Sequence, residues 1–196
     1  MSVRKLEFPS ESSCADHLLS RMPQDLIPKD IASAFAHDLA ARFKQPPPEA
    51  PDGAFSIIVE RWIIRDDDLK AFEELVRAAT AAAGASFFLD HTKAAAAVVG
   101  IAVAVFSIIR NAIRSGAVLA SDEIAVVWKL NSARPLRPSA ADLASALKDR
   151  TRANGSDWTE EDARQVLERL EKYPTKSGLK KFAAKDAAGG WGLEGV

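Results

Sequence analysis

A chain of 196 residues, 47% hydrophobic and 27% charged, is long enough for one large domain or two small ones, and this composition excludes disorder over most of its length. A formal net charge of −1 excludes a global pull towards nucleic acid or anionic membrane, so either kind of binding needs a local patch. The single Cys14 cannot form an intramolecular disulfide, and no apolar run follows the basic residues of MSVRKLEFPSESS; both features lead us to expect a cytoplasmic protein without a secretory signal.

Residues 1–12 are polar and read as an extended arm, with Ser12 or Ser13 expected to cap a short helix through Met22. Pro23 and Pro28 interrupt it, and Pro28 suits the first turn of a second helix. Ile31, Phe35, Leu39 and Phe43, flanked by Ala32, Ala36 and Ala40, draw an apolar stripe along that helix to Lys44. Pro46, Pro47 and Pro48, followed by Pro51, Asp52 and Gly53, then read as a semi-rigid connector. The connector divides an N-terminal helical arm, residues 1–52, from a small α/β core, residues 53–120.

The core should open with a strand, Ala54–Ile64, rich in β-branched and aromatic residues and apolar on both alternating faces, as in the interior of a sheet. Asp66 as N-cap, with Asp67 and Asp68 in the first turn, would begin a helix that keeps Leu69, Phe72, Leu75, Val76 and Ala79 on one face, and Gly84 would close it. Ser86–Leu89 is expected to be a short second strand and Gly116–Ala120 another.

Between them Ala94–Ile109, AAAAVVGIAVAVFSII, runs without a charge. At about 1.5 Å per residue it covers roughly 24 Å as a helix, short of the roughly 30 Å hydrocarbon core of a bilayer. Lys93, Ala97, Gly100, Ala104, Ser107, Asn111 and Arg114 fall on one small or polar face, and bulky groups fill the rest. This suits a helix, residues 93–114, that is buried on most sides with one side closely approached or wet. Two alternatives stand beside it: a membrane helix using the small-xxx-small spacing of Ala96, Gly100 and Ala104, and a buried strand in which Ile101, Val103 and Val105 alternate with alanines.

From Ser121 the texture changes. Asp122–Leu130 reads as a helix with Ile124, Val127, Trp128 and Leu130 inward, and Ser139–Lys148 as a second with Leu143 and Leu147 inward. Thr159 caps a third, with Asp162 as a capping-box partner and Ala163, Val166, Leu167, Leu170 and Tyr173 on its inner face. Leu179–Ala184 and Trp191–Val196, joined through a glycine tip, read as a hairpin. DEIAVVWKLNSARPLRPSAADLASAL, followed by TEEDARQVLERLEKY and a hairpin ending GGWGLEGV, resembles the winged helix-turn-helix superfamily over residues 121–196. The resemblance implies a recognition helix at Thr159–Lys172, a wing at Leu179–Val196, and binding of DNA or of another protein. The fold expected for the whole is therefore α+β, with a helical N-terminal arm, a small strand-and-helix core around a buried apolar helix, and a C-terminal winged helix.

The function expected is non-enzymatic binding, with DNA-linked transcription regulation first, protein–protein assembly or homo-oligomerisation second and membrane association third. For duplex DNA the useful residues are Arg150, Arg152, Arg164, Gln165, Lys176, Lys180, Lys181 and Lys185. Against them, residues 121–196 hold thirteen Lys and Arg and twelve Asp and Glu, a net of only +1. Glu160, Glu161 and Glu168 would put carboxylates where a groove-reading helix meets phosphate, so they mark an alternative protein-binding face. Cys14 and His17 have a metal-like spacing, with His37 or His91 to join them, but without a second pair no structural zinc site, and no other cofactor, is expected. Three histidines in ordinary surroundings single out no catalytic arrangement.

Overall fold

The computed structural model describes residues 5–46, 60–80 and 93–194, a mixed α+β structure. In chain order the described elements are β1 (Lys5–Phe8), α1 (Glu11–Leu19), α2 (Lys29–Arg42), β2 (Lys44–Gln45), β3 (Arg61–Arg65), α3 (Asp66–Thr80) and α4 (Ala95–Arg114). They continue with α5 (Ser121–Ser132), α6 (Ala140–Ala146), α7 (Glu160–Glu171), β4 (Tyr173–Thr175), β5 (Gly178–Lys180), β6 (Ala183–Lys185) and β7 (Trp191–Leu193).

β3 is the middle strand of a three-stranded antiparallel sheet in the order β1-β3-β2, with Phe8 opposite Trp62 on one side and Lys44 opposite Trp62 on the other. The interior position expected of the Ala54–Ile64 strand thus holds for its described part. Its burial nevertheless alternates, Trp62 and Ile64 in and Arg61 and Arg65 out, because an antiparallel sheet with one solvated face needs only one apolar face. Residues 1–12 were expected as an extended arm, and 5–8 of them do extend, but as the edge strand of this sheet. The first part of the Ala54–Ile64 strand, Gly84 and the Ser86–Leu89 strand lie outside the described residues.

Helix starts follow local chemistry more finely than the sequence reading expected. Ser10, not Ser12 or Ser13, caps α1: its hydroxyl accepts from the Ser13 N–H at 3.1 Å, and Ser13 returns a bond from the Ser10 N–H. At α3, Asp68 rather than Asp66 reaches back, taking the Arg65 N–H at 3.2 Å. Asp68 is buried, and the Arg114 and Arg110 guanidiniums lie 3.2 and 3.7 Å from it. Burial pushes the Asp68 carboxyl up, whereas at Asp67 burial, the largest single influence, is outweighed by the bond and charge of Arg114 together with the backbone N–H groups of Asp67 and Asp68, so that carboxyl lies below its usual range.

α4 occupies the centre, packed against α2, α3 and α5. Val98, Val99, Val103, Val105, Phe106, Ile108 and Ile109 are buried, while Ala97, Gly100, Asn111 and Arg114 are exposed. The small, polar face is therefore the wet one, not a close approach: nothing stands within 4 Å of where a Cβ on Gly100 would be. At 20 residues α4 is long and apolar enough to cross a membrane, but half of its apolar window is covered by the protein itself. The stripe expected on α2 is buried throughout, with Phe35 stacked on Phe72 at 6.2 Å and Phe43 set edge-on to Phe106 at 6.1 Å. One buried cluster runs from Cys14 to Trp191, so the parts the sequence reading divided share a core.

Residues 116–120 form no strand. Gly116 turns at φ 83, Ala117 and Leu119 are buried, and the Val118 carbonyl accepts from the Tyr173 hydroxyl at 2.8 Å. The run is an apolar connector whose backbone bonds to a side chain instead of a neighbouring strand.

Candidate nucleic-acid interface

α5, α6 and α7 pack on one another, and two hairpins follow them. The Thr159 hydroxyl accepts from the Asp162 N–H at 3.2 Å, while Asp162 accepts from the Thr159 N–H at 3.2 Å; this is the capping box read from the sequence. The hydroxyl of Thr159, ahead of the nearby Arg152, holds the Asp162 carboxyl below its usual range. Ala163, Val166, Leu167, Leu170 and Tyr173 all turn inward.

The hairpin differs from expectation. Leu179–Ala184 is not one strand: 178–180 pair with 173–175, and 183–185 pair with 191–193. The break falls at Phe182, whose side chain is buried and whose N–H and C=O bond to Leu170 and Glu194. A continuous strand would leave that residue's backbone in a ladder instead of on α7. The first hairpin is fastened to the core: the Tyr173 hydroxyl lies 3.0 Å from the buried Glu123 carboxylate, Lys180 Nζ is 3.5 Å from the Asn111 carbonyl, and the Lys176 stem lies against Gly116. The second projects its tip, where the Asp186 carboxylate accepts from the N–H groups of Ala188 and Gly190, each at 2.9 Å.

Glu123 holds this region at its centre. It is 2% exposed, accepts from the Ala120 N–H at 2.6 Å and pairs with Arg169 at 2.9 Å. Because Ala120 offers no side-chain acceptor, this is only the returning half of a capping box. Burial, reinforced by the Glu123 charge, pushes the Tyr173 phenol up to about 12, so it remains a proton donor.

Of the cations expected to reach phosphate, Arg164, Lys176, Lys181 and Lys185 are exposed, whereas Arg150 and Arg152 are drawn into the fold. Arg150 is 8% exposed. Arg152 spans Asp122, at 3.3 Å, and Asp162, with its guanidinium 5.6 Å from the Trp158 ring, so it joins the starts of α5 and α7. On the outer face of α7, Arg164 pairs with Glu161, and the Gln165 amide donates to the same carboxylate at 3.0 Å. Lys181 lies 4.0 Å from Glu171, and Lys185 sits over the Trp191 ring at 5.9 Å. Among the described residues Glu160 and Glu168 make no ion pair, so the net charge left on that face is negative.

Two arginines escaped the sequence reading. Arg134 and Arg137, in the loop between α5 and α6, are exposed and make no ion pair among the described residues. Arg137 lies along β7: a Cβ on Gly192 would sit 3.2 Å from its guanidinium carbon, and one on Gly190 would meet its carbonyl at 2.5 Å. The signal is present in the sequence as ARPLRP, two arginines each followed by a proline or by leucine and proline's neighbour ahead of α6. Leu136 between them is 75% exposed.

Of the metal-like pair, Cys14 is buried, and burial with the Glu11 charge pushes its thiol up to about 11. His17 lies tilted against the Phe8 ring at 5.1 Å, with burial and Arg21 lowering its pKa, and His91 lies outside the described residues. No protein-family model, curated protein or solved structure matches this chain.

Proposed function

We propose that the chain is a non-enzymatic binding protein whose α5–α7 unit and hairpins, in winged-helix order, engage another protein through the outer face of α7. One observation carries this reading: of the two exposed arginines of α7, Arg164 is turned with Gln165 onto Glu161 and Arg169 onto Glu123, which leaves Glu160 and Glu168 to set the charge a partner meets. A helix presented this way repels phosphate and attracts a basic protein surface. A second reading, contact with duplex DNA through the hairpin edge, is favoured by Arg134, Arg137 and Lys185, which lie clear of any carboxylate pairing among the described residues.

Fluorescence anisotropy of a labelled duplex at two salt concentrations, beside affinity capture from the cell of origin, separates the two. The protein reading expects no salt-dependent DNA binding at micromolar protein, and captured proteins that are lost with Glu160→Lys/Glu168→Lys. Steeply salt-dependent binding that falls with Arg137→Ala and Lys185→Ala would replace it with the second reading.

A further inference from the structure

A cleft between α4 and the hairpins takes no part in either reading, and its walls carry three kinds of chemistry. Ser107, Ile108 and Asn111 come from α4; Lys180, Phe182 and Glu194 face them. It has about 60 Å³ of room for water, which at roughly 10–15 Å³ per enclosed water amounts to roughly four to six waters, or a molecule of five or six non-hydrogen atoms.

One wall is cationic. Lys180 Nζ, near the Asn111 carbonyl at 3.5 Å and over the Phe182 ring at 5.2 Å, has protons left to donate. Another wall is anionic. Glu194 makes no ion pair among the described residues, and its backbone is fixed by an N–H bond to the Phe182 carbonyl at 3.0 Å. Ser107 gives its proton to the Val103 carbonyl at 3.0 Å and so presents acceptor lone pairs, whereas the exposed Asn111 amide offers both donor and acceptor. Buried Ile108 and Phe182 supply the apolar surface. Lys181, on the rim, is drawn towards Glu171.

A simple anion entering here would meet Glu194, and a simple cation would meet Lys180; only a ligand with both charges suits the two together. We infer that the cleft binds a small zwitterionic amino acid, of the size of glycine or alanine, with its carboxylate on Lys180 and its ammonium on Glu194. Asn111 and Ser107 accept from that ammonium, and a methyl group rests on Ile108 and Phe182. Such a ligand touches α4 and the hairpins at once, so it stabilises their docking in proportion to its occupancy.

The test is a nitrogen-15 NMR titration of the full chain at low ionic strength with glycine and alanine, against acetate and methylammonium. Saturable shifts are expected at the amides of Ser107, Asn111, Lys180 and Glu194, with both amino acids binding about tenfold more tightly than either single-charge probe. Glu194→Gln should weaken glycine about tenfold while tightening acetate, and Lys180→Met should weaken glycine while tightening methylammonium. Glu194 is exposed, so its variant should keep the wild-type spectrum away from the cleft. The inference is overturned if glycine and alanine give no saturable shift at millimolar concentration, if acetate matches glycine in the wild-type protein, or if Glu194→Gln binds glycine unchanged.

Discussion

α4 and α7 each turn one apolar face inward and leave another open to solvent, and the two open faces are opposite in kind. Along α4 the open side carries Ala97, Gly100, Asn111 and Arg114, groups that are small or that serve the fold, as Arg114 does by pairing with Asp67 and Asp68. Along α7 it carries Glu160, Glu161, Arg164, Gln165 and Glu168, which touch nothing in the core. An exposed stripe made of what remains when the bulky residues face inward is a consequence of packing. One made of charges that cap and pair only within their own helix is free to meet a partner. Stability thus rests on α4, and the recognition we propose would rest on α7.

The largest effect should come from charging the buried side of α4. Val105 is fully buried between α4 and its neighbours, so Val105→Asp places an unpaired carboxylate in the core and should cost more than about 4 kcal/mol, enough to unfold a marginal domain. Ile109→Val, which removes one methylene, should cost only about 1 kcal/mol. Gln165→Ala on α7 should lie within about 0.5 kcal/mol of wild type. Urea titrations rank the three, and a stable Val105→Asp protein would mean that α4 is not the centre of the core. Ile101, which the sequence placed among the bulky groups, is only half-buried and is the poorer site for this test.

How much of this was legible beforehand depended on how local its cause is. The α2 stripe, the small face of α4 and the Thr159–Asp162 box depend on residues three or four apart and are legible in the sequence, although whether that face is wet or closely approached is not. Ser10 lost out to Ser12 and Ser13 because several hydroxyls stood near one helix start, and only the chain's path selects among them. The same holds for Asp68 against Asp66. The Gly116–Ala120 strand and the unbroken Leu179–Ala184 strand failed for a different reason: a strand needs a partner, and pairing lies between distant residues. At the candidate site Arg150 and Arg152 looked like surface cations because nothing in the sequence joins them to Asp122, Asp162 or the core. Arg137 gains interest only from β7 beside it, a strand more than fifty residues on in the chain.

A smaller effect concerns what fixes α7 to α5. The Tyr173 hydroxyl serves the Val118 carbonyl and the Glu123 carboxylate, and Tyr173→Phe leaves a buried carboxylate short of a donor, at a cost of about 1–3 kcal/mol. Arg169 is 60% exposed but its partner Glu123 only 2%, so Arg169→Met leaves a buried carboxylate without its cation and should cost about 3 kcal/mol. If Tyr173→Phe proves the costlier variant in thermal melts, the phenol and not the charge holds α7 in place.

The starts of the two helices should separate with pH. α4 begins at Ala94 without a side-chain cap, whereas α7 begins with the Asp162 carboxylate, whose pKa is lowered. A carboxyl depressed in the folded state contributes stability above its unfolded value, near 3.8, and loses that contribution as pH falls through the folded value. Below the usual carboxylate range, therefore, the first-turn amides of α7 should lose hydrogen-exchange protection before those of α4. Asp162→Asn should remove the difference. Loss of protection in α4 first would show that the Asp67–Asp68–Arg114 cluster at its far end, not the α7 cap, governs acid sensitivity.

The smallest effect, and one of opposite sign, should come from Gly100 in the open stripe of α4. Its backbone is ordinary helix, no atom lies within 4 Å of the Cβ it lacks, and the residue is exposed, so neither close packing nor a left-handed conformation calls for glycine here. Glycine inside a helix costs roughly 0.5–1 kcal/mol relative to alanine, through the freedom it loses on folding. Gly100→Ala should therefore raise stability by up to about 1 kcal/mol, seen as a higher urea midpoint with an unchanged slope. A destabilised Gly100→Ala protein would mean that something approaches this stripe in solution. The stripe would then be a contact surface, and the contrast between α4 and α7 would fail at its α4 end.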